Sequence, residues 1–83
     1  MAKELKPVDD VAMQNDKERI GAQIAAIRKQ MGMTQQDLSE RCGMIRTTIA
    51  KIEAGRFNAS IDLLSKVLRP LGGRVEIILS GSH

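Results

Sequence analysis

Residues 34–56 read TQQDLSERCGMIRTTIAKIEAGR, and their spacing predicts two short helices joined by a tight turn at Gly43. Thr34 is placed to cap the first helix, with Asp37 three residues later as a capping-box partner, although Glu or Gln is the usual choice. Leu38 and Cys42 supply its inner face, and Gly43 provides the left-handed backbone that a tight turn needs. The second helix is expected from about Arg46 to Ala54, with Ile49 and Ile52 inward and Gly55 as its stop. Its outward face is small, polar and basic: Arg46, Thr47 and Lys51, with Thr48 between outward and packing positions.

Working outward, residues 1–15 show no helical or strand period and read as a flexible N-terminal arm, with Pro7 and the Asp9–Asp10 pair against regular structure. Asn15 or Asp16 is expected to cap a first helix. Ile20, Ile24, Ile27 and Met31 form its one-faced stripe, and Gly32 ends it. Beyond the central stretch, Ser60 caps a fourth helix striped by Leu64, Val67, Leu68 and Leu71, with Pro70 late enough to be tolerated as a kink. The helical unit is thus assigned to residues 16–72.

After Gly72–Gly73 the period changes. Residues 73–79 are β-branched and partly alternating, and a strand is expected there. A lone strand leaves unpaired backbone groups that invite another chain. Val75, Ile77 and Leu79 would share one face, and antiparallel pairing across a two-fold axis would make a homodimer. Pairing with the arm near residues 5–11 is the alternative, disfavoured because the arm has no β-rich run. Residues 80–83 read as a tail or a tag remnant. The fold class expected is all-α, a four- to five-helix bundle with one C-terminal β-strand pairing across a dimer.

Composition narrows the function. An 83-residue chain buries only about 60% of its surface and is marginal without a staple. One cysteine excludes an internal disulfide, and no Cys/His cluster suggests zinc. Cys42 on an inward position reads as a small core residue, and Met31, Met33, Met44 and Phe57 as core or loop cover. Nothing resembles a signal peptide or a membrane span, so a cytoplasmic, nucleoid-associated location is expected. No catalytic residue, metal ligand or cofactor site is expected: the single histidine is terminal, and no nucleophile–base pair is present. The net charge is +3, yet residues 41–74 hold seven bases against two acids, Glu53 and Asp62. Such a segment suits an oriented polyanion-binding face, with a merely solvated basic surface as the even alternative on charge alone. One aromatic residue in the whole chain argues against base stacking and so favours duplex DNA over single strands.

The strings RKQMGMTQQDLSERCGM and TTIAKIEAGRFNAS, within Ile20 to Leu71, closely resemble the phage-repressor and Cro type of helix-turn-helix domain, the XRE-like family. The resemblance covers about five-eighths of the chain and rests on spacing, glycines, caps and the Ile49/Ile52 pair together. It implies sequence-specific binding of double-stranded DNA as a homodimeric transcriptional regulator on a near-palindromic operator, repression being the expected sense. By position it implies base reading by Arg46, Thr47 and Lys51, and backbone contacts by Gln35, Thr48, Arg56 and Asn58. It also implies an internal ion pair between Arg28 and Glu53. Two departures are Ile45, where a polar residue is usual before the reading helix, and Ala59, where proline is common. A fourth helix followed by a dimerising strand resembles HipB-like antitoxins that accompany HipA-type kinase toxins. The alternative function is therefore an interaction module that holds a toxin partner and autoregulates its operon.

Overall fold

The computed structural model describes residues 10–79. Four α-helices follow one another: α1 (Asp10–Gln30), α2 (Gln35–Cys42), α3 (Arg46–Glu53) and α4 (Ile61–Leu68), with a single 3-10 turn at Arg69–Leu71. The switch to 3-10 geometry falls where Pro70 lacks the N–H that would continue α4. Ser60 Oγ accepts from Leu63 N at 3.1 Å and fixes the start of α4.

The core lies between the helices. Ile24, Leu38, Ile49 and Val67, one from each, are its most enclosed side chains, with Met33, Cys42, Ile52 and Leu71 around them. The four most enclosed residues come from positions the helical stripes single out. Burying each is worth about 1.5–3 kcal/mol. Ile27 and Met31, the C-terminal half of the stripe expected on α1, are 38% and 49% exposed. Ile27 borders a groove of about 250 Å³ shared with Leu64, Leu68 and Val75.

Two boundaries differ from expectation. Helix α1 begins at Asp10, so residues 10–15, expected in the arm, are helical. Asn15 and Asp16 are interior positions, and the acid at the first turn is Asp10, which suits the positive end of a helix. Residues 1–9 and 80–83, where the rest of the arm and the tail were expected, lie outside the described residues.

The strand expected at residues 73–79 is not formed, and among the described residues there is no strand at all. β-Branched composition suits a pleated surface but does not create one. A strand needs a neighbour's backbone groups, and no segment among the described residues offers them there. Val75, Ile77 and Leu79 consequently stand 36%, 86% and 75% exposed. Arg74 Nη2 and Glu76 Oε2 meet at 3.2 Å across an i, i+2 spacing on this segment.

Candidate nucleic-acid interface

Helix α2 is capped at both ends, and its C-terminal cap makes the turn into α3. Thr34 Oγ1 accepts from Asp37 N at 3.0 Å, while Asp37 Oδ2 accepts from Thr34 N at 2.9 Å. These bonds hold the Asp37 carboxyl below its ordinary value, the Thr34 backbone contact contributing most. At the other end Gly43 adopts φ 71°, and Met44 N reaches back to Ser39 O at 2.9 Å. A side chain at Gly43 would be strained in this left-handed backbone.

Helix α3 then presents two faces. Ile49 and Ile52 are buried at 0% and 4% exposure, which orients the opposite side outward. Arg46, Thr47 and Lys51 are exposed there, and Thr48 is half-buried at the edge. Thr47 and Lys51, one turn apart, make no side-chain hydrogen bond among the described residues. Ile45 precedes the helix without a side-chain cap and is 71% exposed.

Behind this face runs a chain of hydrogen bonds through three helices. Arg28 of α1 forms a two-pronged contact with Glu53 of α3, Nε to Oε2 at 2.7 Å and Nη2 to Oε1 at 3.0 Å. Both side chains are more than nine-tenths buried. The third nitrogen, Nη1, donates to Met33 O at 2.7 Å. The hydrogen bond to Glu53 outweighs desolvation and raises the guanidinium pKa above its usual value. Gln35 Nε2 of α2 also donates to Glu53 Oε1, at 3.0 Å, and Arg46 Nη1 donates to Gln35 Oε1 at 3.2 Å. Gln35 thus uses both ends of its amide, fixing Arg46 relative to the buried pair. No buried side-chain nitrogen or oxygen is left without a partner among the described residues.

This network also sorts the charges. Glu53, one of the two acids in the basic segment, is neutralised internally by Arg28. Arg41, Arg46, Lys51, Arg56, Lys66, Arg69 and Arg74 all remain exposed. In the loop after α3, Arg56 and Asn58 are exposed, and Phe57 packs inward against the core.

Two residues that set this geometry escaped the sequence reading. Gly21 is buried in the middle of α1. A Cβ there would collide with the Ile52 carbonyl oxygen and lie 2.7 Å from Glu53 O. Its signal was available: glycine inside a helical pattern costs about 1 kcal/mol relative to alanine, which suggests a close approach. Gln14 donates from its side chain to Gly55 O at 2.9 Å, across 41 residues of sequence. Nothing local announces that contact.

Cys42 is buried. Burial pushes its thiol pKa up, and its Sγ lies 3.8 Å from Ser39 O. Among the described residues no group of His, Cys, Asp or Glu could hold a metal ion, and no helix is long and apolar enough to cross a membrane.

The pattern of the helix-turn-helix family matches residues 24–78. An uncharacterized HTH-type transcriptional regulator of Methanothermobacter thermautotrophicus is 44% identical over 45 residues, 54% of this chain and 65% of its own length. The immunity repressor protein of Bacillus phage phi105 is 38% identical over 60 residues, 72% of this chain and 42% of its own. The chain therefore spans less than two thirds of either relative. Among solved structures, the clp gene regulator ClgR from C. glutamicum superposes with a TM-score of 0.68 at 27% identity, over 88% of this chain and 85% of that one.

Proposed function

The chain belongs to the XRE-type helix-turn-helix family, and on that premise we propose that it is a sequence-specific, duplex-DNA-binding transcriptional regulator that acts as a homodimeric repressor. The observation that carries this reading is the outward face of α3, where exposed Thr47 and Lys51 stand beside Arg46, which is anchored from behind through Gln35 and Glu53 to buried Arg28. Arg46 reads a guanine edge, worth about 1–3 kcal/mol of discrimination, and Thr47 a neighbouring base. Lys51 contacts a base or a phosphate one turn further along. Gln35, Thr48, Arg56 and Asn58 position the domain on the backbone. The immunity repressor among the relatives supports repression as the sense of regulation.

Dimerisation is the second part of the proposal. Val75, Ile77, Ile78 and Leu79 are exposed, and two copies would supply each other with a backbone partner that the described residues of one chain do not offer. Two reading helices would then enter successive major grooves about 34 Å apart.

Selection from a random duplex library at moderate salt tests the reading. The expected result is one enriched near-palindrome, with Arg46→Ala relaxing preference at a single position per half-site. Recovery of no sequence above bulk DNA would sink it. Removal of residues 74–79 is expected to give a monomer with weaker operator binding; a truncated chain that sediments as a dimer would refute pairing through this segment. The same exposed apolar segment supports a second reading, an antitoxin that holds a toxin protein. Copurification of a stoichiometric partner encoded beside the gene would favour it.

A further inference from the structure

The peptide unit between Gly55 and Arg56 is held at both ends. Its N–H, belonging to Arg56, donates to Lys51 O at 2.9 Å and closes the end of α3. Its carbonyl, belonging to Gly55, accepts from Gln14 Nε2 of α1 at 2.9 Å. A peptide unit is planar, so fixing both polar groups fixes the plane, and with it the direction in which Arg56 leaves α3. Gln14 Nε2 also donates to Glu18 Oε2 at 3.1 Å. Both neighbours are acceptors only, which sets the orientation of the amide. The packing beneath is equally close: Gly55 is buried with φ +73°, and a Cβ there would lie 2.7 Å from Glu18 Cγ and 2.9 Å from Glu18 Cα. The early turns of α1 therefore form a clasp on the loop that carries Arg56 and Asn58.

We propose that Gln14 is a positioning residue for DNA-backbone binding: it holds the Gly55–Arg56 peptide so that the Arg56 guanidinium meets a phosphate. This rests on the duplex-DNA reading above and adds to it a residue that itself touches no DNA. Base preference belongs to α3, so Gln14 governs affinity and its salt dependence without altering the sequence selected.

The test compares the wild-type chain with Gln14→Met, which keeps length and helical preference but removes the donor, and with Arg56→Ala and the double variant. Equilibrium binding to the duplex selected by the wild type is measured over a salt series. Gln14→Met is expected to weaken binding by about fivefold, the worth of a typical hydrogen bond. It should flatten the slope of log K against log salt by about 0.9, the loss of one phosphate contact. Arg56→Ala should do the same, and the double variant should be no worse than Arg56→Ala alone. Urea unfolding of each variant at the lowest and highest salt gives the folded fraction, by which the apparent affinities are corrected before the slopes are compared. An unchanged slope in Gln14→Met, or additive losses in the double variant, overturns the proposal while the DNA-binding reading stands. A wild-type chain that binds no duplex overturns both.

Discussion

The α2–α3 unit and the segment at residues 73–79 are built from the same aliphatic residues and end in opposite situations. Ile49 and Ile52 are 0% and 4% exposed, while Ile77 and Ile78 are 86% and 84% exposed. The first pair lies on one face of a helix whose backbone bonds are satisfied within itself, so burial needs only a neighbouring helix. The second pair lies on a segment whose backbone bonds must come from elsewhere. Hydrophobicity alone does not decide burial; the source of the backbone's partners decides it first.

The sharpest way to break the contrast is to disable the part that stands alone. Glu53→Ala leaves Arg28 buried without its partner and removes the acceptor of Gln35. A loss of about 3–5 kcal/mol in urea unfolding is expected, a large share of the stability of so small a domain. A loss under 1 kcal/mol would show that the pair is not what joins α1 to α3.

Ile49→Ala is expected to cost about 2–5 kcal/mol in the same measurement, because it empties a fully enclosed site. Its counterpart Ile77→Ala should stay within about 0.5 kcal/mol at concentrations where the chain is monomeric. Equal losses at the two positions would mean that residues 73–79 are packed in the single chain after all.

Gly21→Ala sets two effects against each other. Alanine improves helix propensity by about 1 kcal/mol, yet its Cβ meets the Ile52 and Glu53 carbonyls. Overpacking against backbone costs about 1–3 kcal/mol, so net destabilisation is expected by denaturant titration. A stabilised variant would show that α1 and α3 can separate without penalty.

The smallest effect concerns Asp37. Its folded-state pKa lies below the ordinary 3.8, so its contribution is present above that value and is lost as pH falls through the folded one. Stability of the wild type should therefore decline more steeply than that of Asp37→Asn as acid is added below pH 3.8. Parallel acid profiles would remove the capping box from the account.

Local signals carried the central unit. The Thr34 and Ser60 caps, the glycine stops and the inward positions at 38, 42, 49 and 52 each depend on residues within one turn of one another, and the sequence reading identified them from that spacing. What escaped was long-range. The contacts of Gln14 with Gly55 and of Gly21 with Ile52 and Glu53 exist only after α1 has docked. The start of α1 was misplaced because Asn15 and Asp16 are good caps in isolation, yet the chain continues helical back to Asp10. The strand expected at 73–79 is not formed in the single chain for the converse reason: its composition suits a sheet, but pairing is not a property of the segment alone. At the candidate interface, the Arg28–Glu53 contact was expected through family resemblance, whereas its extension through Gln35 to Arg46 appeared only in three dimensions.

The uneven tethering of the α3 face has a consequence for descent. Arg46 is bonded to Gln35, and replacing it disturbs a neighbour. Thr47 and Lys51 are exposed and make no side-chain hydrogen bond among the described residues, so substitutions there cost folding little. If this face reads bases as proposed, a lineage of such proteins acquires new recognition sites by changing Thr47 and Lys51 first. Arg46 would drift only in company with Gln35, and Glu53 and Arg28 would be the last to move.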